Sequence, residues 1–189
     1  MISRTLIIAL ALLISACANS PRKHYFALSA TLPETSSELQ TASIQKVIGV
    51  GPIKIPEYLQ ASRISYWKTA QQLSSADSGF WAEPLELGIT RVLALNLQAA
   101  QPNWQVMQFP WLQSQKPALV VRVDIQRLDA FPSYALLEAR VDLVDTKTGS
   151  TRSKLIRTRV DSSADSASIA NAFSQLLQQA SATIASDLL

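Results

Sequence analysis

A single histidine and a single cysteine limit what this chain can do chemically. A serine or cysteine hydrolase needs an imidazole base, and a catalytic zinc needs two or three nitrogen or sulfur ligands. His24 stands alone, and its simplest reading is an exposed residue at the start of a strand. The carboxylate pairs Glu83 with Glu86 and Asp142 with Asp145 have the residue types for acid and base work. Charge at a helix start and solvation of a strand face account for them more cheaply. The residues therefore predict a protein that is not an enzyme, with no catalytic residue, no metal and no cofactor. Two clusters suggest binding instead. Arg152, Lys154, Arg157 and Arg159 make one segment basic, a pattern that suits lipid head groups or an acidic partner, although Glu138, Arg140 and Asp142 offer cross-strand neutralisation. Trp104, Phe109 and Trp111 could form an aromatic contact patch, or a piece of core.

Cys17 carries the one strong chemical signal. Arg4 supplies a positive charge, and residues 5–14 follow as an uncharged apolar run. That run is shorter than the roughly 20 residues a spanning helix needs, and it reads as a secretory signal over residues 1–16. It ends in Ile14, Ser15, Ala16 and Cys17, which resembles the bacterial lipobox. Small residues there admit the signal peptidase, and the thiol becomes a thioether to diacylglycerol. A third, amide-linked chain such as palmitate would follow. At about 0.8 kcal/mol per buried methylene, three chains make the attachment effectively permanent. The residue after the cysteine is Ala18 rather than the aspartate that commonly retains lipoproteins at the inner membrane. The expected location is therefore the periplasmic face of the outer membrane, with residues 17–23 as tether and residues 24–189 as one periplasmic domain. The tether's six residues after Cys17 reach no more than about 20 Å, so the domain stays near the bilayer.

Charge excludes another class. With 17 Lys and Arg against 14 Asp and Glu, one of the cations being Arg4 in the leader, bulk electrostatics do not favour nucleic acid. No second cysteine is present to form a disulfide, so packing must hold the fold.

The elements follow from hydrophobic period. Strands are predicted at residues 24–28, at 46–55 where Pro56 closes the run, at 62–67, and more weakly at 71–74, with a loop over 31–42. Pro84 suits a first helical turn, and Leu85, Ile89, Val92, Leu93 and Leu97 then share one face until Pro102. A short strand at 104–107 precedes two alternating strands, in which Leu119, Val121, Val123 and Ile125, and then Leu137, Ala139, Val141 and Leu143, point one way. Asp145 to Gly149 makes a hairpin turn into a strand over 151–160. The stretch from Asp161 to Asp165 offers several N-caps to a last helix whose face holds Ile169, Phe173, Leu176, Leu177, Ala180, Ile184 and Leu188. The fold class predicted is α/β of the α+β type, with a single mixed, largely antiparallel β-sheet and two long helices packed on it.

Several segments in this order resemble the ABC-type transport auxiliary lipoprotein family, which includes the paraquat-inducible C lipoproteins. They are Tyr25-Phe26-Ala27-Leu28, then Val50-Gly51-Pro52-Ile53-Lys54-Ile55-Pro56-Glu57-Tyr58-Leu59, and Phe80-Trp81-Ala82-Glu83-Pro84-Leu85. The resemblance implies a non-enzymatic component of a system moving lipid between membranes and supporting membrane integrity. Its partners would be an MCE-domain protein and that protein's ABC transporter or permease, docked at the outer membrane, with a ring-shaped homo-oligomer as an option. Glu57, Tyr58, Leu59, Trp81, Glu83 and Pro84 are the interface residues expected, because they lie at element boundaries. The alternative is that Tyr58 and Trp81 are buried anchors at those corners. A rival function is an outer-membrane assembly or plug lipoprotein partnering a β-barrel protein. An enzyme using carboxylates alone is a second rival.

Overall fold

Eight strands and two long helices form over residues 22–30, 46–112 and 114–188, which are the residues described in this computed structural model. Ile14, Ser15, Ala16 and Cys17, and the loop expected at 31–42, lie outside them. Strands β1 (His24–Phe26), β2 (Lys46–Lys54), β3 (Arg63–Trp67) and β4 (Leu73–Trp81) precede helix α1 (Leu85–Ala100). Strands β5 (Trp104–Gln108), β6 (Leu119–Ala130), β7 (Tyr134–Asp145) and β8 (Thr151–Asp161) precede helix α2 (Ser166–Leu188). No helix among the described residues is long and apolar enough to cross a membrane.

The α+β architecture with two long helices on mixed sheet is the one the periodicity predicts, and the strands divide into two sheets. One sheet has the order β1-β4-β3 and the other β5-β2-β6-β7-β8. Strand β2 is parallel to both its neighbours, β5 and β6, and β6, β7 and β8 form the antiparallel meander. That central parallel position explains why Ile48, Gly49, Val50 and Gly51 are buried in succession rather than alternately.

Both helices bury the predicted stripe. Leu85, Ile89, Val92, Leu93 and Leu97 of α1 are buried, as are Ile169, Phe173, Leu176, Leu177, Ala180, Ile184 and Leu188 of α2. They close over Val121, Val123 and Ile125 of β6 and Leu137, Ala139 and Val141 of β7. Asp165 is the working cap of α2: its Oδ1 accepts from the Ser168 N–H at 2.8 Å. The Ser163 hydroxyl and that N–H hold the Asp165 carboxyl below its ordinary range.

A β-bulge decides what the second half of β6 shows to each side. Strict alternation from Val121 would carry Arg127 and Asp129 into the core. The register with β7 shifts between Ile125 and Arg127, so Leu128 and Ala130 face inward while Arg127 and Asp129 turn to the other face.

Helix α2 begins hard against β4. A Cβ on Gly79 would lie 1.9 Å from Ser166 Oγ and 2.4 Å from its Cβ, and that same hydroxyl donates to the Ala76 carbonyl at 2.9 Å. Ser166 is only 3% exposed and has nowhere to swing. Gly79→Ala should therefore destabilise the domain by about 1–3 kcal/mol, read as a lower urea midpoint at unchanged slope.

Candidate functional site

The residues that suggested binding meet three different fates. Tyr58 lies on a 3-10 turn, Glu57–Leu59, started by Pro56 and closed by the Leu59 N–H to Pro56 carbonyl bond at 3.0 Å. The turn buries Leu59 and aims the Tyr58 hydroxyl at Asp129, which is 4% exposed. Tyr58 donates to Asp129 Oδ1 at 2.6 Å, and the Trp67 indole N–H donates to the same oxygen at 2.9 Å. Arg127 Nε donates to Oδ2 at 2.8 Å, so each carboxylate oxygen is satisfied. Burial first, and then the hydrogen bond to Asp129, push the Tyr58 hydroxyl well above its ordinary pKa. Glu57, on the same turn, stays exposed.

Trp81 ends β4 on the inner side. It is 8% exposed, and its ring stacks on Phe173 of α2 with centroids 5.9 Å apart and planes 19° apart. Its backbone N–H donates to the Ser62 carbonyl, and the next, on Ala82, to the Phe26 carbonyl, both at 2.8 Å. The strand end is thus fastened to both its neighbours before the chain turns into α1. Glu83 then binds Arg91 one helical face along, and Arg91 Nη2 also donates to the Leu28 carbonyl at 3.0 Å. Pro84 is exposed. Of the six residues expected at an interface, Tyr58, Leu59 and Trp81 point their side chains into the protein. Glu57 and Pro84 face solvent, and Glu83 is partly exposed.

The basic strand does not act as one patch. Arg152 and Lys154 pair with Leu143 and Val141 on the helix side of the sheet and reach the end of α2. There Arg152 Nη2 donates to the Asp187 carbonyl at 3.0 Å, and Lys154 Nζ bridges the Asp187 carboxylate at 2.8 Å, where a helix C-terminus favours cations. Arg157 and Arg159 lie on the open face. Arg157 is 3.6 Å from Glu138, and the Arg159 guanidinium carbon is 3.7 Å from the Tyr134 ring centroid. The open face continues as a balanced lattice, in which Arg140 approaches Asp124 at 3.3 Å and Asp142 at 3.9 Å. The aromatic trio also splits. Trp104 is buried and Phe109 is 48% exposed, while Trp111 closes over Gly49, where a Cβ would come within 2.7 Å of its ring.

His24 is exposed at the start of β1, and no group of three His, Cys, Asp or Glu side chains among the described residues could hold a metal. Between the helices and the five-stranded sheet the void is about 10 Å³, lined by Leu93, Val123, Ile125 and Leu177 among others. That is room for a water at most.

A feature that sequence reading passed over is a row across the three-stranded sheet. Tyr25 pairs with Phe80, and Phe80 with Arg63, so the three stand side by side on the outer face. Tyr25 is 64% exposed, with its ring 6.0 Å from that of Phe80. Only the pairing of β1, β3 and β4 reveals it, since the residues are far apart in the chain.

No curated protein matches the chain by sequence. Among solved structures, an uncharacterized protein overlays with a TM-score of 0.72 at 19% identity, covering 89% of this chain and all of that one. A protein from Xanthomonas campestris of family DUF330 overlays with a TM-score of 0.66 at 16% identity, covering 88% of this chain and 94% of that one. At such identities these neighbours share the fold. The family match is broader evidence: residues 26–185 fit one family, including the Pro56-Glu57-Tyr58-Leu59 turn now seen gripping Asp129 and the Trp81 strand end now seen stacked on α2. The chain belongs to the ABC-type transport auxiliary lipoprotein component family.

Proposed function

We propose that this chain is the outer-membrane-anchored, non-enzymatic lipoprotein of an intermembrane lipid-transport system. There it docks a periplasm-spanning MCE-domain protein served by an ABC transporter or permease, and so supports membrane integrity. The observation that carries the reading is family membership over residues 26–185, joined to Cys17 and the Ala18 that follows it.

Contact falls to the exposed parts of the two corners, Glu57 on the turn and Glu83 with Pro84 at the start of α1, while Tyr58, Leu59 and Trp81 hold those corners rigid behind them. Two rigid corners of this kind, one at each end of β3, suit a subunit ring or a protein partner.

The test is to crosslink membranes carrying the tagged full-length protein, solubilise them and identify what accompanies it by mass spectrometry. An MCE-domain protein, retained by wild type and depleted when Cys17→Ala frees the domain, is the expected result. A β-barrel protein in its place would move the assignment to an assembly or plug role. For the surface itself Glu57→Lys is the clean variant, because Glu83 also serves Arg91. Glu57→Lys should lower partner recovery several-fold at unchanged melting temperature, and intact recovery would remove this corner from the interface.

A further inference from the structure

We infer that the outer face of the β1-β4-β3 sheet is a membrane-contact surface that lies on anionic phospholipid head groups of the bilayer holding the protein. The inference rests on lipidation of Cys17 in the function proposed above. The row Tyr25, Phe80 and Arg63 crosses all three strands. Arg63 Cζ is 5.1 Å from the Phe80 centroid, and Lys23 Nζ stands 5.3 Å from it on the other side. Neither cation joins an ion pair among the described residues. That separates this face from the open face of the five-stranded sheet, where Arg127, Arg140 and Arg157 are matched by Glu138, Asp124 and Asp142. The acidic residue nearest in β4, Asp77, directs its carboxylate to the first N–H of α2, 3.5 Å away. What remains is exposed aromatic surface with two cations that no described carboxylate pairs, the composition that settles at the head-group level of a bilayer.

Chain length selects the lipid over other occupants. Lys23 is the sixth residue after Cys17, a reach of about 20 Å at full extension, so an acylated Cys17 keeps the Lys23 edge of this face within that distance of the bilayer surface. A face so placed, cationic and aromatic, meets head-group phosphates before it meets a diffusing protein. Contact there would also orient the domain: the three-stranded sheet meets the start of α2 at Ser166, whereas the β7–β8 hairpin lies by its other end, where Arg152 and Lys154 reach Asp187, and so would be held away from the membrane.

Ala27→Cys, exposed beside the patch, and Lys147→Cys, at the hairpin tip, each carry a fluorophore on the full-length protein, whose own Cys17 is blocked when acylated. Intact mass reports that acylation directly. The proteins are reconstituted in phosphatidylcholine vesicles containing phosphatidylglycerol and a head-group nitroxide lipid. Quenching several-fold stronger at position 27 than at 147 is expected, with the difference lost in the Lys23→Glu/Arg63→Glu background. Equal quenching at both positions in a fully acylated protein overturns the inference. So does a position 27 shielded from aqueous iodide but not reached by the nitroxide, which would mean a protein partner. An unmodified Cys17 would defeat the lipidation reading instead, and the patch is then judged on the Cys17→Ser chain added to the same vesicles. Its partition should fall by at least about fivefold for each cation reversed, and an unchanged partition overturns the patch as well.

Discussion

Trp81→Ala is expected to lower stability by about 3–5 kcal/mol, with a fall in melting temperature on the order of 10 °C. The ring is 8% exposed and stacked on Phe173, which is itself 2% exposed, so removing it opens a cavity between β4 and α2 that neither element can close. Ser166 already holds the start of α2 on Gly79 and Ala76, and the helix cannot slide to fill the space. Trp81→Phe keeps a ring against Phe173 and should recover most of the loss. Urea denaturation of the three proteins measures the difference, and a Trp81→Ala protein of wild-type stability that lost only its partner would return Trp81 to the interface. Since small domains are stable by only about 5–15 kcal/mol, the alanine protein should also accumulate poorly in cells.

The second large effect belongs to Asp129. Asp129→Ala leaves the Tyr58 hydroxyl and the Trp67 indole N–H without their common acceptor, in a corner where water reaches them incompletely. A cost of about 3 kcal/mol is expected. Asp129→Asn keeps an oxygen for Tyr58 and Trp67 and disturbs only Arg127, which is 42% exposed in its side chain and can turn to Glu138 or solvent. That variant should cost about 1 kcal/mol. The same corner predicts a pH dependence. Because the folded state holds the Tyr58 proton more tightly than the unfolded chain, the associated stability is complete below the ordinary phenol value of 10.0 and drains away as pH rises beyond it. Tyr58→Phe should remove that alkaline component from a stability profile, and a profile identical to wild type would mean that the bond to Asp129 does not form.

Together the two variants give the segments that carry the family resemblance a physical reading. The proline-tyrosine-leucine turn locks onto the bulged end of β6, and the tryptophan-proline junction locks β4 onto α2. They meet the two ends of β3, since Trp67 contacts Tyr58 while Arg63 pairs with Phe80. Loss of either anchor should therefore release the three-stranded sheet, and the Tyr25, Phe80 and Arg63 row with it.

The sequence alone determined the local elements: both helix faces, the alternation in β6 and β7, the Asp145 hairpin and a cap for the last helix within residues 161–165, of which the structure uses Asp165. These depend on residues within a turn of helix or a few strand positions of one another, and their periods are readable along the chain. Strand β4 was legible only at its start, because Ser74, Ser75, Asp77 and Ser78 have no alternation. It exists because β1 and β3 supply its hydrogen-bond partners on either side. Tertiary structure alone decided the division into two sheets and the parallel placing of β2. It also decided the bulge that turns Asp129 outward, the meeting of Asp129 with residues 71 and 62 positions away, and the parting of Arg152 and Lys154 from Arg157 and Arg159. A period of two tells which residues share a face; it is silent on which distant strand lies alongside and on where an extra residue shifts the register, and those are settled by packing across the whole domain.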